Sequence, residues 1–202
     1  ALGLLGAEAK EVLPLLLARL NHEEDNKRLA TLAEALGNIG EVEAVPSLVI
    51  VLKKPSLLVR GKAIDALGKI GDAAGVSALF EALRDAQLQE KAAKALGKIG
   101  PAAVPGLLRL LEDKDPTIRA NAAFALGKTG DAATVLKLTE RLRDRNNAVR
   151  TNTIIALGLL GEKAAPAVPA LLHLIQNDGA NGRVVAESLG KIGKAAVPGL
   201  IN

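Results

Sequence analysis

The stretch Ala66-Leu67-Gly68-Lys69-Ile70-Gly71 returns unchanged at residues 95–100. Near copies lie at 1–6 (ALGLLG), 35–40 (ALGNIG), 125–130 (ALGKTG), 156–161 (ALGLLG) and 188–193 (SLGKIG). The first glycine of each copy serves as a ruler: Gly3, Gly37, Gly68, Gly97, Gly127, Gly158 and Gly190, at spacings of 34, 31, 29, 30, 31 and 32 residues. Such a period accommodates two helices of about 11–13 residues and two short turns. Repetition in this range marks a solenoid, because one helix pair cannot bury both of its faces and copies must stack. No segment shows the two-residue alternation of a half-buried strand.

Within one unit, "AVPGLLRLLED" (103–113) reads as a first helix. Pro105 falls in its first turn, where a missing N–H costs little, and Pro14, Pro46, Pro169 and Pro198 are expected in the same place. Leu107, Leu108, Leu110 and Leu111 supply apolar residues at helical spacing. In the turn that follows, Asp115 is placed to cap a second helix and Pro116 to start it. That helix, 116–130, carries Ile118, Ala122, Ala125 and Leu126 as its buried stripe and ends at Gly130. Gly127 lies inside it, where glycine costs about 1 kcal/mol relative to alanine. A cost repeated in every unit predicts a neighbouring helix pressed against the backbone at that point.

Composition agrees with close helix packing. Hydrophobic residues make up 49% of 202, almost all Ala, Leu, Val and Ile, and Phe80 and Phe124 are the only aromatics. There is no Cys, which excludes disulfides and thiolate chemistry and leaves the redox compartment unreadable. No apolar run is long enough to predict a membrane span. The net charge of +4 permits an acidic partner without specifying nucleic acid. The sequence begins and stops inside the repeat pattern, at Ala1-Leu2-Gly3 and Val197-Pro198-Gly199-Leu200, so it is expected to be part of something larger.

The A-V-P-x-L starts, the D-x-x-[IV]-R turns such as Asp115 to Arg119, and the A-L-G-x-x-G ends together resemble HEAT repeats of the short bacterial type named after the phycobilin lyases. The resemblance covers essentially the whole chain. It implies an all-α, right-handed α-solenoid, armadillo-like in character, forming a single domain over 1–202. Six repeats fall at 9–40, 41–71, 72–100, 101–130, 131–161 and 162–193, with partial repeats at 1–8 and 194–202. It also implies a ladder of Asp–Arg contacts along the turns. Asp113 and Arg119, and Asp144 and Arg150, stand six apart in phase with the ruler, and Arg60 holds the same arginine slot. This structural role is preferred to phosphate binding.

Residues for catalysis are scarce. His22 lies in a polar stretch between helices, and His173 occupies a first-helix slot that holds Glu81, Arg109 and Glu140 elsewhere, which predicts a solvent-facing side chain. The lone His22-Glu23 pair does not reproduce the several His-Glu pairs of the HEAT-like di-iron hydroxylase that modifies deoxyhypusine, and that function is rejected. No nucleophile-and-base constellation, zinc spacing or phosphate-binding glycine loop is found, and the repeated glycines follow helices rather than strands. No enzyme activity, metal or cofactor is expected.

Partner binding is sought where outward residues depart from their counterparts. Three slots of each second helix share a face: six before the ruler glycine, three before it and one after it. They read Thr31/Glu34/Asn38, Lys62/Asp65/Lys69, Lys91/Lys94/Lys98, Asn121/Phe124/Lys128, Asn152/Ile155/Leu159 and Val184/Glu187/Lys191. The middle slot is charged in four repeats and apolar at Phe124 and Ile155, with Leu159 apolar nearby. If exposed, these three form an apolar patch beside Lys91, Lys94 and Lys98, flanked by Asn121 and Asn152. By resemblance, second helices line the concave groove. The preferred reading is a non-catalytic scaffold that takes another protein or a peptide there. A related version is self-association or assembly through the incomplete terminal repeats. Competing readings are a chromophore-handling subunit like a phycobilin lyase, which lacks Trp and Tyr here, and a nucleic-acid-binding protein, which the minimal aromatic supply disfavours. Local packing would also account for the apolar slots.

Overall fold

The computed structural model describes residues 7–177 and 181–197, and the side chains of most of these. Gly3, Pro198 and most of the two partial repeats lie outside the described residues. The helices are α1 (Ala7–His22), α2 (Asn26–Ile39), α3 (Val45–Val51), α4 (Leu57–Ile70), α5 (Val76–Ala82), α6 (Gln89–Ile99), α7 (Val104–Leu110), α8 (Pro116–Thr129), α9 (Val135–Arg141), α10 (Asn147–Leu160), α11 (Val168–Asn177) and α12 (Gly182–Ile192). Among the described residues there is no strand, and the fold is an all-α solenoid of stacked helix pairs. The chain divides into two compact units, 1–102 and 103–202, with the boundary at the start of the fourth repeat.

In the first unit α2, α4 and α6 stack in a row, and α1, α3 and α5 each pack on the second helix that follows. In the second unit α8, α10 and α12 form the row, covered by α7, α9 and α11. The rows are close because the ruler glycines receive the next helix. A Cβ on Gly37 would stand 2.6 Å from Ala66 Cα, one on Gly68 2.8 Å from Ala95 Cα, and one on Gly127 2.4 Å from Ala156 Cα. Real Cβ atoms essentially never approach another heavy atom that closely, so the backbones touch through the missing side chains. The leucine before each ruler glycine, Leu36, Leu67, Leu96, Leu126, Leu157 and Leu189, is buried beside that contact.

Turn chemistry sets the helix limits. Asp25, Ser56, Asp115 and Asn146 cap α2, α4, α8 and α10 by accepting N–H groups of the first turn. The closing glycines adopt positive φ, from 60° at Gly161 to 82° at Gly40, which ends each second helix cheaply.

Two local expectations are corrected. In four of the five later repeats, the α-helical part of the first helix is seven residues long and follows a 3₁₀ turn that supplies no side-chain cap for it. Pro46 and Pro105 do lie in first turns, but Pro14 is inside α1, which begins seven residues before it. The stretch Asn147–Ile175 has a mean hydropathy of 1.4 in one window, in the range of a membrane span by length and composition. It is α10, a 3₁₀ turn and α11, interrupted by Gly161 at positive φ, and half of that window is buried in the protein. The apolar face of α10 packs between α8 and α12, which accounts for its composition.

Candidate functional site

In the first unit the outward stripe of the second helices is laced by lysines. Lys62 Nζ meets Glu34 Oε2 on the preceding second helix at 2.8 Å, and Lys91 Nζ meets Asp65 Oδ2 at 2.8 Å. Lys94 pairs with Glu90 along α6 at 2.5 Å, and Lys69 donates to the Asn38 side-chain oxygen at 2.6 Å. The rule is that the slot six before the ruler glycine engages the slot three before it in the preceding repeat. The hydrogen bond and charge of Lys62 hold the Glu34 carboxyl below its ordinary range, and Lys94 does the same for Glu90. Such exposed pairs contribute only about 0–1 kcal/mol each. Their effect is to neutralise carboxylates, leaving Lys98 exposed with no carboxylate partner among the described residues.

The second unit fills the same slots differently. Phe124 and Ile155 stand where Glu34 and Asp65 stand, and both are half-buried. Lys128 Nζ lies 5.7 Å from the Phe124 ring centroid, within cation–π range. Leu159 is 37% exposed. Asn152 Nδ2 donates to Ala120 O at 3.1 Å, so its amide ties α10 to α8. Asn121 Nδ2 is buried with no acceptor among the described residues. The candidate residues therefore fall into two groups: Lys91, Lys94 and Lys98 in the first unit, and Asn121, Phe124, Asn152, Ile155 and Leu159 in the second.

The arginine positions show why the six-residue spacing recurs. Arg119 Nη1 reaches back six residues to the backbone oxygen of Asp113, at 2.8 Å, and to Lys114 O at 3.1 Å. Its Nε and Nη2 grip the two oxygens of Asp144, 25 residues on, each at 2.9 Å. Arg150 Nη1 repeats the carbonyl contact on Asp144 O at 3.0 Å. In the first unit Arg60 Nη1 meets Asp85 Oδ2 at 2.6 Å. The spacing thus marks an arginine-to-carbonyl clamp, and the carboxylate rung crosses to the next repeat. Asp113 and Asp144 each also accept, on a carboxylate oxygen, the N–H two residues ahead, which shapes the turn. The Asp144 carboxyl is held below its ordinary value, chiefly by the Arg119 hydrogen bonds, and Arg119 is raised in turn. His22 ends α1 and His173 is exposed on α11.

Two features carry no assignment from the sequence. One is a hollow between α9 and α11, lined by Leu136 and His173 among others. Leu136 is 70% exposed where Pro46, Pro105 and Pro169 stand in other repeats. The other is a hollow over α4 and α6, next to the exposed Leu57 and Leu58. Both leucines take slots held by Asn26 and Lys27, or Pro116 and Thr117, in other repeats, and that departure was the available signal.

Stacked helix pairs with glycine-seated second helices and an arginine ladder define a repeat scaffold protein. The sequence profile of HEAT repeats matches residues 13–90 and 77–158, and the chain belongs to that family. No curated protein sequence matches it. Among solved structures, an engineered protein is 24% identical, covering 89% of this chain and 96% of its own at a TM-score of 0.50. A designed armadillo repeat protein in complex with the peptide (KR)4 is 20% identical, covering 89% and 98%, at 0.51. The complex of CpcE and CpcF of phycocyanin lyase from Nostoc is 23% identical, covering 98% and 84%, at 0.49. At these identities the likeness concerns the fold.

Proposed function

We propose that the chain is a non-catalytic scaffold whose second-helix face binds another protein or a peptide. The observation that carries this reading is the difference in chemistry between the second helices of the two units. Where the first unit closes its slots with ion pairs, the second presents half-buried Phe124 and Ile155 and exposed Leu159. Burying an apolar side chain of this kind against a partner is worth about 1.5–3 kcal/mol, and an apolar patch rimmed by charge is the usual mark of a docking surface. The peptide held by the designed armadillo protein supports the class of ligand, while its basic sequence belongs to that protein.

The test is affinity capture from a lysate of the source organism, comparing the wild type with Phe124→Glu/Ile155→Lys at matched helicity and stability. A partner identified with the wild type and lost with the variant supports the reading. An unchanged set of partners overturns the role of this patch and returns both residues to local packing.

A further inference from the structure

Beyond the patch of the second unit, we propose that the first unit carries a separate docking trough for a linear peptide with an aliphatic anchor and acidic residues about five positions away. This rests on the scaffold reading only in placing a partner on second helices.

The anchor end lies at the first turn of α4, where outward slots that are polar in α2 hold leucines. Helix α6 has 11 residues against 14 in α4, starts at Gln89, and is preceded by Leu88 with no side-chain cap. Residues 86–88 form a hydrogen-bonded turn ahead of it, with Gln89 N–H donating to Asp85 O at 2.8 Å, and the first turn of α4 faces outward beside that turn. There Leu57 is 40% and Leu58 52% exposed, beside a hollow of about 400 Å³ with Gly61 and Leu88 in its lining. A Cβ on Gly61 would meet only the Lys91 methylenes, at 3.6 Å, so the glycine keeps this end open rather than seating a helix.

The charged end follows along the same helix face. Leu58, Lys62, Asp65 and Lys69 lie in line on α4. A second hollow, of about 110 Å³, shares Lys62 and Asp65 with the first and adds Lys69 and Lys98. The two hollows are therefore neighbours along α4, walled in common by Lys62 and Asp65. Their carboxylates Glu34 and Asp65 are already matched by Lys62 and Lys91. Lys69 meets only a neutral amide and Lys98 no carboxylate, so the surplus at this end is positive. From Leu58 to Lys69 is about 16 Å of helix at 1.5 Å per residue, which an extended peptide spans in about five residues. Lys69 and Lys98 occupy equivalent slots on packed helices, about 8–10 Å apart, which suits two acidic side chains. A nucleic acid fits less well: three of the five stripe lysines are in ion pairs, and Phe80, the aromatic of this unit, lies on α5 rather than on the stripe.

The experiment selects random dodecapeptides displayed on phage against the full chain, then measures the enriched peptide by fluorescence anisotropy. The expected consensus pairs an aliphatic residue with acidic residues about five positions on. Leu58→Glu and Lys98→Glu, both at exposed positions and checked by circular dichroism, are each expected to weaken binding at least about tenfold, and added salt to weaken it further. Phe124→Glu is expected to leave it unchanged. A basic or uncharged consensus, or binding indifferent to Leu58→Glu and Lys98→Glu, overturns the proposal. Loss in Phe124→Glu alone overturns it while leaving the patch of the second unit standing. Tighter capture of a single-stranded oligonucleotide through Lys69 and Lys98 also overturns it.

Discussion

Replacing Gly127 by alanine sets two effects of opposite sign against each other. Alanine favours a helix interior by about 1 kcal/mol over glycine. The new Cβ, however, would stand 2.4 Å from Ala156 Cα, 2.7 Å from its Cβ and 2.8 Å from its carbonyl oxygen. Ordinary carbon contacts lie at about 3.5–4.0 Å, so α8 and α10 must part by about 1 Å. A gap of that size forfeits up to about half of the dispersion well of each contact it opens. Overpacking against backbone typically costs about 1–3 kcal/mol and occasionally more. Taking the upper end of that range, the net expectation is a loss of about 2 kcal/mol, or roughly 0.5–1 M in urea midpoint.

Gly190 supplies the control. It occupies the same motif position on α12, yet a Cβ there meets nothing within 4 Å among the described residues. Gly190→Ala is therefore expected to stabilise by about 0.4–1 kcal/mol. Gly37→Ala and Gly68→Ala, with closest approaches of 2.6 and 2.8 Å, should cost progressively less than Gly127→Ala. The assay is urea unfolding followed by far-ultraviolet circular dichroism, since the chain has no Trp or Tyr for fluorescence. Adding Ala156→Gly to Gly127→Ala should rescue only part of the loss, because the Cα and carbonyl contacts remain. If Gly127→Ala gains stability as Gly190→Ala does, the close-approach reasoning is refuted.

Asp144→Asn breaks a rung whose side chains are 16% and 6% exposed, and is expected to cost about 2 kcal/mol near neutral pH, read as a shift in urea midpoint. Because the native Asp144 pKa is lowered, the stability it contributes is present above its unfolded value, about 3.9, and is lost as pH falls through the native one. The variant should accordingly lose less stability than the wild type on acidification below about pH 4. A double-mutant cycle with Arg119→Ala and Asp144→Ala should show a coupling of about 1–3 kcal/mol, whereas additive losses would remove the rung. Asn181 is 1% exposed, accepts from Thr151 Oγ1 at 2.7 Å and donates to Asn147 Oδ1 at 2.9 Å. Asn181→Ala should destabilise by about 1–3 kcal/mol in the same assay, and a neutral result would show that the bonds contribute nothing net.

The repeat, the helix pairs and most helix ends were legible in one dimension because their causes are local. Asp115 caps the helix that begins beside it, and Gly130 ends it at a φ of 70°. The packing role of Gly127 was also legible, since a costly residue recurred at one register. The candidate site was legible as a set of slots, but not as a set of contacts. Whether a lysine was paired depended on Glu34 meeting Lys62 and Asp65 meeting Lys91 across stacked helices. Asn152 read as an outward residue until its amide was seen on Ala120 O.

The arginine ladder divides the two kinds of information most clearly. Sequence order sets a carboxylate and an arginine six residues apart, and with them the carbonyl clamp that the turn makes. The rung itself joins Arg119 to a residue 25 positions on, and no local spacing encodes it. The trough over α4 is of the second kind as well. Leu57 and Leu58 stand out in type along the chain, but the hollow beside them is formed with Gln87, Leu88 and Lys91, about thirty residues on. Capping, helix breaking and periodicity act within a few bonds of the residue that causes them and can be read along the chain. Pairing and exposure depend on which helix lies alongside, and that follows from backbones brought together by glycine and alanine about thirty residues apart.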